Sequence, residues 1–316
     1  MSSDFPESSP VSCSWSGELH QREPGPPARE WIISALLFGL TFVTTSFAGL
    51  FYVAGDAIFL APLRLLSNPG LMLRGLLFSV PVLAILTAHE LGHFLACRYY
   101  GMRCTPPFFI PVPIPITGTL GAFIKIKSQF ISKRALFDIG IAGPLAGFVF
   151  IIPTLWIGIT LSEVVPKGRI TQGLVFGEPL LLRLFGGIIL GYSPETQDMF
   201  AHPFVMAAWF GLLATSLNLL PIWQLDGGHI SYSVFGKSLQ KRLSVIALVV
   251  LTAVCFSTVS YLLFCLLLLV LGLKFRFYHP PTLLEDDRLG LPRLLLAFVA
   301  LVILIVSFIP VPVVVI

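Results

Sequence analysis

The chain has 316 residues, of which 56% are hydrophobic and only 11% charged, with a formal net charge of +4. A soluble domain carries about 25% charged residues, so this composition excludes a water-soluble enzyme and indicates a polytopic membrane protein. The positive excess is spread along loops and leaves no basic face for nucleic acid.

From the N-terminus, residues 1–30 are polar and rich in Ser, Pro and Glu. They lack the basic start and short apolar core of a cleaved signal peptide and are expected to form a disordered tail. A helix needs about 20 apolar residues to cross the hydrocarbon core. Trp31–Val53 is the first such run and, with its loop, gives an additional N-terminal span over residues 31–70. Gly75–Cys97 is the second. It has no charge from Gly75 to Thr87 and then carries His89-Glu90-Leu91-Gly92-His93. On a helix His89 and His93 project from one face, one turn apart. Two imidazoles at that spacing can share a zinc ion, with Glu90 beside them as the base of metal-assisted hydrolysis. The plain alternative is a satisfied polar cluster in a helix core. It leaves unexplained why three ionisable groups are kept where they are most costly.

Between this span and the next lie Arg98, Arg103, Lys125, Lys127, Lys133 and Arg134, with no acidic residue before Asp138. Such an excess marks a cytoplasmic loop and puts the motif end of the helix on that side. Pro106, Pro107, Pro111, Pro113 and Pro115 break any helix here. The stretch Gly118–Lys127 ends in strand-like alternation. Irregular backbone at membrane depth is tolerated only under cover of protein or a cavity, so a re-entrant loop and β-hairpin beside the motif is expected; a plain cytoplasmic loop is the alternative.

The third run is Ala135–Leu161, in which Gly143 and Gly147 allow close packing against the motif helix. Ser162–Pro203 faces outward and is too short for an independently stable domain. The fourth run, Phe204–Trp223, contains Asn218 and is broken by Pro221. Asp226 follows, with Gly227-Gly228 expected to let the chain turn tightly and aim the carboxylate at the metal as third ligand. A capping carboxylate is the alternative for Asp226. Asp138 and His229 are weaker candidates, His202 falls on the outer side, and His20 and His279 face solvent. Leu243–Leu273 is about 46 Å long at 1.5 Å per residue. It is either one tilted helix or two short ones broken near Ser257–Ser260. Leu294–Val315 is the last run. Lys237, Lys241 and Arg242 return to the inside; breaking the long run puts Lys274, Arg276, Arg288 and Arg293 there too, which favours seven spans over six. Cys13, Cys97, Cys104, Cys255 and Cys265 are an odd set without paired spacing and read as ordinary thiols rather than a disulfide framework.

Four separated pieces resemble the site-2 protease family of intramembrane zinc metalloproteases: His89 to His93, Gly118 to Phe123, Phe137 to Gly147, and Asn218 to Gly228. The resemblance covers about Val82 to Ser231 and is to forms without a PDZ domain. It implies that His89, His93 and Asp226 hold one zinc ion per chain and that Glu90 is the catalytic acid/base. It also implies that Asn218 contacts the substrate backbone or transition state, and that Gly118, Thr119 and Gly121 belong to a hairpin pairing with an extended substrate segment. The extra N-terminal span and Tyr278-His279-Pro280-Pro281-Thr282 are similar to bacterial members related to plant chloroplast forms, which implies a bacterial cell membrane with the site toward the cytoplasm.

The expected fold is therefore an all-α polytopic membrane protein of about seven transmembrane helices with a re-entrant β-hairpin beside the active site. Residues 71–231 form the catalytic core and 232–316 the C-terminal helices. The partners are a transmembrane protein substrate and the lipid bilayer, with no nucleic acid. A non-proteolytic zinc transporter or scaffold is the rival reading; it would show repeated halves, and none is visible. A peptidase trimming lipidated C-termini with a distant Glu ligand ranks last, because Glu163, Glu178, Glu195 and Glu285 are less well placed than Asp226. A reporter fused to the C-terminus tests the span number: seven spans put it on the outer side, and a cytoplasmic signal contradicts them.

Overall fold

The computed structural model describes residues 25–55, 69–169, 174–255, 261–275, 281–285 and 288–315. Cys13, His20, His279 and the expected break near Ser257–Ser260 lie outside the described residues. In chain order the elements are α1 (Ala28–Ala54), α2 (Pro69–Tyr99), β1 (Phe108–Pro111), β2 (Thr119–Phe123), α3 (Lys133–Thr160), β3 (Glu163–Pro166), β4 (Leu174–Phe176), α4 (Leu180–Leu190), β5 (Gln197–Phe200), α5 (Pro203–Asn218), α6 (Asp226–Cys255), α7 (Leu262–Phe275), α8 (Leu291–Ser307) and β6 (Val313–Val315).

Four of these helices are long and apolar enough to cross a membrane: Ala28–Val53, Gly70–Tyr99, Lys133–Thr160 and Asp226–Cys255. The helix α5 is shorter than the expected run Phe204–Trp223, because the chain leaves helical geometry after Asn218, ahead of Pro221. The helix α1 starts at Ala28, directly after Pro27. The expectation of an all-α protein with one β-hairpin needs extending. The protein is mostly helical, but its described residues include three two-stranded antiparallel sheets, β1–β2, β3–β5 and β4–β6. The hairpin β1–β2 sets Phe108 opposite Phe123 and Phe109 opposite Ala122, then shifts register before Pro111 meets Thr119.

At the centre lies α3, packed against α2, α5, α6 and α8. Its N-cap Ser132 accepts a hydrogen bond from the Ala135 N–H, satisfying one of the helix's free donors. Ile151, Leu155 and Ile159 of α3 meet Trp209 and Leu212 of α5 and Ile85 of α2 in one buried cluster. Between apolar helices surrounded by lipid, burial of hydrocarbon gives little net drive, and close van der Waals approach through small residues dominates. The α1–α2 crossing shows this directly: a Cβ on Gly49 would lie 2.2 Å from the Gly75 carbonyl oxygen. Thr45 and Ser79 add a 2.6 Å hydroxyl–hydroxyl hydrogen bond across the same pair of helices.

The helix α6 changes direction at Gly236, whose φ of 74° suits glycine. Its first ten residues precede this bend in a helix packed against α3, and Lys237, Lys241 and Arg242 follow it. The Cys255 and Cys265 thiols, which the sequence left unrelated, have their Sγ atoms 3.0 Å apart.

Candidate metal centre

Both motif histidines turn toward α3, where two glycines make room for their rings. A Cβ on Gly143 would lie 2.1 Å from His93 Nε2, and one on Gly147 would lie 3.2 Å from His89 Cβ. The close packing read from the glycine spacing is therefore packing onto the imidazoles themselves. His93 Nδ1 stands 2.7 Å from the Ile139 carbonyl oxygen of α3. A carbonyl only accepts, so Nδ1 carries the proton and Nε2 presents its lone pair.

That lone pair points into a convergence of ligand atoms. His93 Nε2 is 3.2 Å from His89 Nε2 and 3.3 Å from Asp226 Oδ1. His89 Nε2 is 3.3 Å from Asp226 Oδ2. Asp226 Oδ2 is buried and makes no hydrogen bond among the described residues. Electron-rich atoms facing one another in a dry interior repel unless a cation lies between them. Two ligands at 2.0–2.1 Å from a tetrahedral ion lie about 3.3 Å apart. Two imidazole nitrogens 3.2 Å apart, each 3.3 Å from one oxygen of the same carboxylate, suit a zinc ion.

The third candidate ligand, Asp226, is positioned by the chain between α5 and α6. Residues Leu219–Leu225 form an irregular turn whose polar groups are met from α6. Ser244 Oγ donates to the Pro221 carbonyl at 2.7 Å and accepts from Trp223 N–H at 3.1 Å. Gln240 Nε2 donates to Ser244 Oγ at 2.9 Å. Gly227 and Gly228 do not make the turn, as the sequence had suggested; they lie within α6. Their role is close approach. A Cβ on Gly227 would come 1.9 Å from the Leu219 carbonyl oxygen, and one on Gly228 2.3 Å from that of Trp223. The start of α6 thereby settles onto the turn and puts Asp226 over the histidines.

Glu90 is 6% exposed and accepts a hydrogen bond from the backbone of Ile124, just beyond β2. It shares a cavity with His89, His93, Asp226, Asn218 and the hairpin residues Ala122, Phe123 and Ile124. Asn218 Nδ2 lies 3.3 Å from His89 Nε2. Gly118, Thr119 and Gly121 do not line this cavity. Gly118 has a φ of 67° and sits against α1, where a Cβ would be 2.4 Å from the Thr44 carbonyl oxygen. Thr119 Oγ1 donates to the Ile110 carbonyl at 2.9 Å and accepts from Gly121 N–H at 3.0 Å, which holds the hairpin's shape.

The weaker candidates lie elsewhere. Asp138 is gripped by Arg293, Nε to Oδ1 at 2.8 Å and Nη2 to Oδ2 at 2.7 Å, and also accepts from Tyr100. Burial, with help from that bond to Asp138, pushes the Tyr100 hydroxyl up to about 12, so it remains a donor at neutral pH. His229 borders the cavity but is outside the three-ligand group; its ring lies tilted against Phe130, with centroids 5.3 Å apart. His202 caps α5 through Phe204 N–H. Glu285 accepts from Tyr232 and Thr282. Against the upward push of its partial burial, these bonds and Lys133 hold its carboxyl below the usual range. Sequence reasoning missed the Ile139 carbonyl and the Ile124 N–H, whose backbone groups carry no signal. It also missed Gln240 and Ser244, two polar residues four apart ahead of an apolar run, a spacing that could have flagged them.

The pattern of Peptidase family M50 matches residues 77–262, which include His89, Glu90, His93, Asn218 and Asp226. Among curated proteins, the chain is 35% identical over 236 residues to a rice (Oryza sativa subsp. japonica) protein named probable zinc metalloprotease EGY1, chloroplastic, covering 68% of this chain and 40% of that protein. It is 34% identical over 197 residues to Arabidopsis thaliana probable zinc metalloprotease EGY2, chloroplastic, covering 61% and 35% respectively. The chain thus spans at most two fifths of the length of these relatives.

A methyl group at Gly143 must displace the His93 ring from the Ile139 carbonyl. Gly143→Ala is expected to weaken zinc binding about 10- to 100-fold, as loss of a ligand's orienting partner does, while Gly147→Ala, whose Cβ 3.2 Å from His89 asks for only a small shift of that side chain, retains most of it. Zinc titration of the two purified variants checks this, and equal affinities contradict it.

Proposed function

The chain belongs to Peptidase family M50, the site-2 protease family, and on that premise we propose that it is an intramembrane zinc metalloprotease hydrolysing peptide bonds in or near transmembrane segments of membrane proteins. The observation that carries this reading is the convergence of His89, His93 and Asp226 beside the buried Glu90, in a cavity walled by the hairpin.

His89, His93 and Asp226 would hold the zinc ion, which would supply Lewis acidity and acidify a water molecule. Glu90 takes a proton from the attacking water and passes it to the leaving amine as the peptide C–N bond breaks. Asn218 donates its amide N–H to the carbonyl oxygen as negative charge develops there. A substrate helix hides its carbonyls in its own hydrogen bonds, so it must unwind locally, and pairing with β2 replaces the bonds it gives up. Helix-breaking residues in the substrate therefore favour cleavage.

The membrane arrangement extends this reading. Adding α5, α7 and α8 to the four long helices gives seven spans. Residues 31–70 form the additional N-terminal span, 71–231 the catalytic core and 232–316 the C-terminal helices. The hairpin is re-entrant: support comes from its contacts along α1 from Ser34 to Tyr52, about 27 Å of helix at 1.5 Å per residue. The excess of Lys and Arg in 98–134 places the site on the cytoplasmic side. The membrane is that of a bacterial cell, whereas the named relatives are chloroplastic. A transporter built on the same ligands leaves Glu90 without a task.

Glu90→Gln keeps the shape of the site and removes the base. It is expected to retain zinc and to lose cleavage of a co-expressed transmembrane substrate by about 10²–10⁴-fold; undiminished cleavage contradicts the mechanism.

A further inference from the structure

The helix α1 lies outside the residues matched to the family, yet it grips the hairpin at three backbone carbonyls. Ser34 Oγ donates to Pro107 O at 2.5 Å, just before β1. Tyr52 Oη donates to Ile116 O at 2.5 Å and Thr44 Oγ1 to Gly118 O at 2.6 Å, both in the turn joining the strands. On a helix of 3.6 residues per turn, positions 34 and 52 align and 44 lies about 80° round from them, so the three hydroxyls fall within one quarter of the helix surface. Between them Phe38 meets Phe109 edge-on, with ring centroids 5.1 Å apart. At one end Glu30 pairs with Lys127.

Gly118 O also accepts from Val112 N–H at 3.2 Å within the hairpin; such carbonyls are otherwise hard to satisfy in a non-helical segment. Water does not reach them at membrane depth, and β1–β2 is a two-stranded sheet with one free edge on each strand. The hydroxyls of α1 take the place of water, and they do so on one side only. It is mainly β1 that lies along α1; β2 touches α1 only briefly, lies against α2 as well and carries Ala122 and Phe123 to the cavity. Gly118 fixes the approach, since any side chain there would strike the α1 backbone.

We propose that Ser34, Thr44 and Tyr52 are positioning residues for substrate: by pinning the β1 side and the turn of the hairpin, they hold the β2 edge over the metal site as the surface that receives an unwound substrate segment. This rests on the proteolytic reading above. None of the three touches the metal ligands, so their loss acts on substrate binding and leaves the centre intact.

The test measures binding in the Glu90→Gln background, where no cleavage intervenes. The probe is a synthetic leucine-rich transmembrane peptide with a central Asn-Gly-Pro break, in detergent micelles. Adding Thr44→Val and Tyr52→Phe removes two of the three bonds, and the peptide Kd is expected to rise roughly tenfold, the effect of one to two net hydrogen bonds. Zinc content should stay at the Glu90→Gln level, and replacing Thr44→Val by Thr44→Ser should recover most of the affinity. A Kd unchanged by the double substitution overturns the proposal, as does a loss of zinc in parallel with affinity, which would make α1 a general support. Peptide that binds but is never cut by the wild type counts against proteolysis and not against the positioning role.

Discussion

Two imidazole nitrogens and a carboxylate meet within hydrogen-bonding distance inside a molecule that is 56% hydrophobic, and the surrounding structure is organised around keeping them there. Ionisable groups in such surroundings neutralise, move to water or find a counter-charge. None of these three moves. His93 is tied by its other nitrogen to the Ile139 carbonyl, and Asp226 leaves an oxygen without a hydrogen bond. A divalent cation resolves the repulsion that this arrangement creates.

Small residues give that geometry its precision. The helix α3 brings its own backbone to α2 at Gly92, where a Cβ would lie 2.4 Å from the Ala142 carbonyl oxygen, and clears space for both rings at Gly143 and Gly147. Gly227 and Gly228 do the same for the start of α6. Because lipid tails compete with apolar side chains for the same contacts, this fit does the work that a hydrophobic core does in water. Polar groups complete it wherever the backbone leaves regular structure: Ser244 and Gln240 under the turn before Asp226, and the hydroxyls of α1 along the hairpin. Each answers the requirement that a buried carbonyl or N–H be paired.

The sequence made His89, Glu90 and His93 legible because a four-residue spacing on a helix dictates a shared face. Asp226 was legible as the acidic residue that closes an apolar run after a proline. The hairpin could be read from five prolines and a short alternation. The functions of the glycines were only half visible. Spacing announces close packing, but only the fold shows that Gly143 packs on an imidazole and that Gly227 relieves a contact with a carbonyl. Helix ends were misjudged where hydropathy outlasts geometry, as at Trp223, since an apolar run continues past the residue at which Pro221 ends the hydrogen bonding. The strands within residues 163–200 left little trace, being three or four residues long and paired with segments distant in the chain.

Elemental analysis of the purified wild type and of Asp226→Ala tests the central claim most directly. The account predicts one zinc per chain in the wild type, lost or strongly weakened in the variant while the protein still purifies as a folded species. Zinc retained in full by Asp226→Ala would contradict it, because the three ligand atoms that converge here would then not be the ones holding the metal.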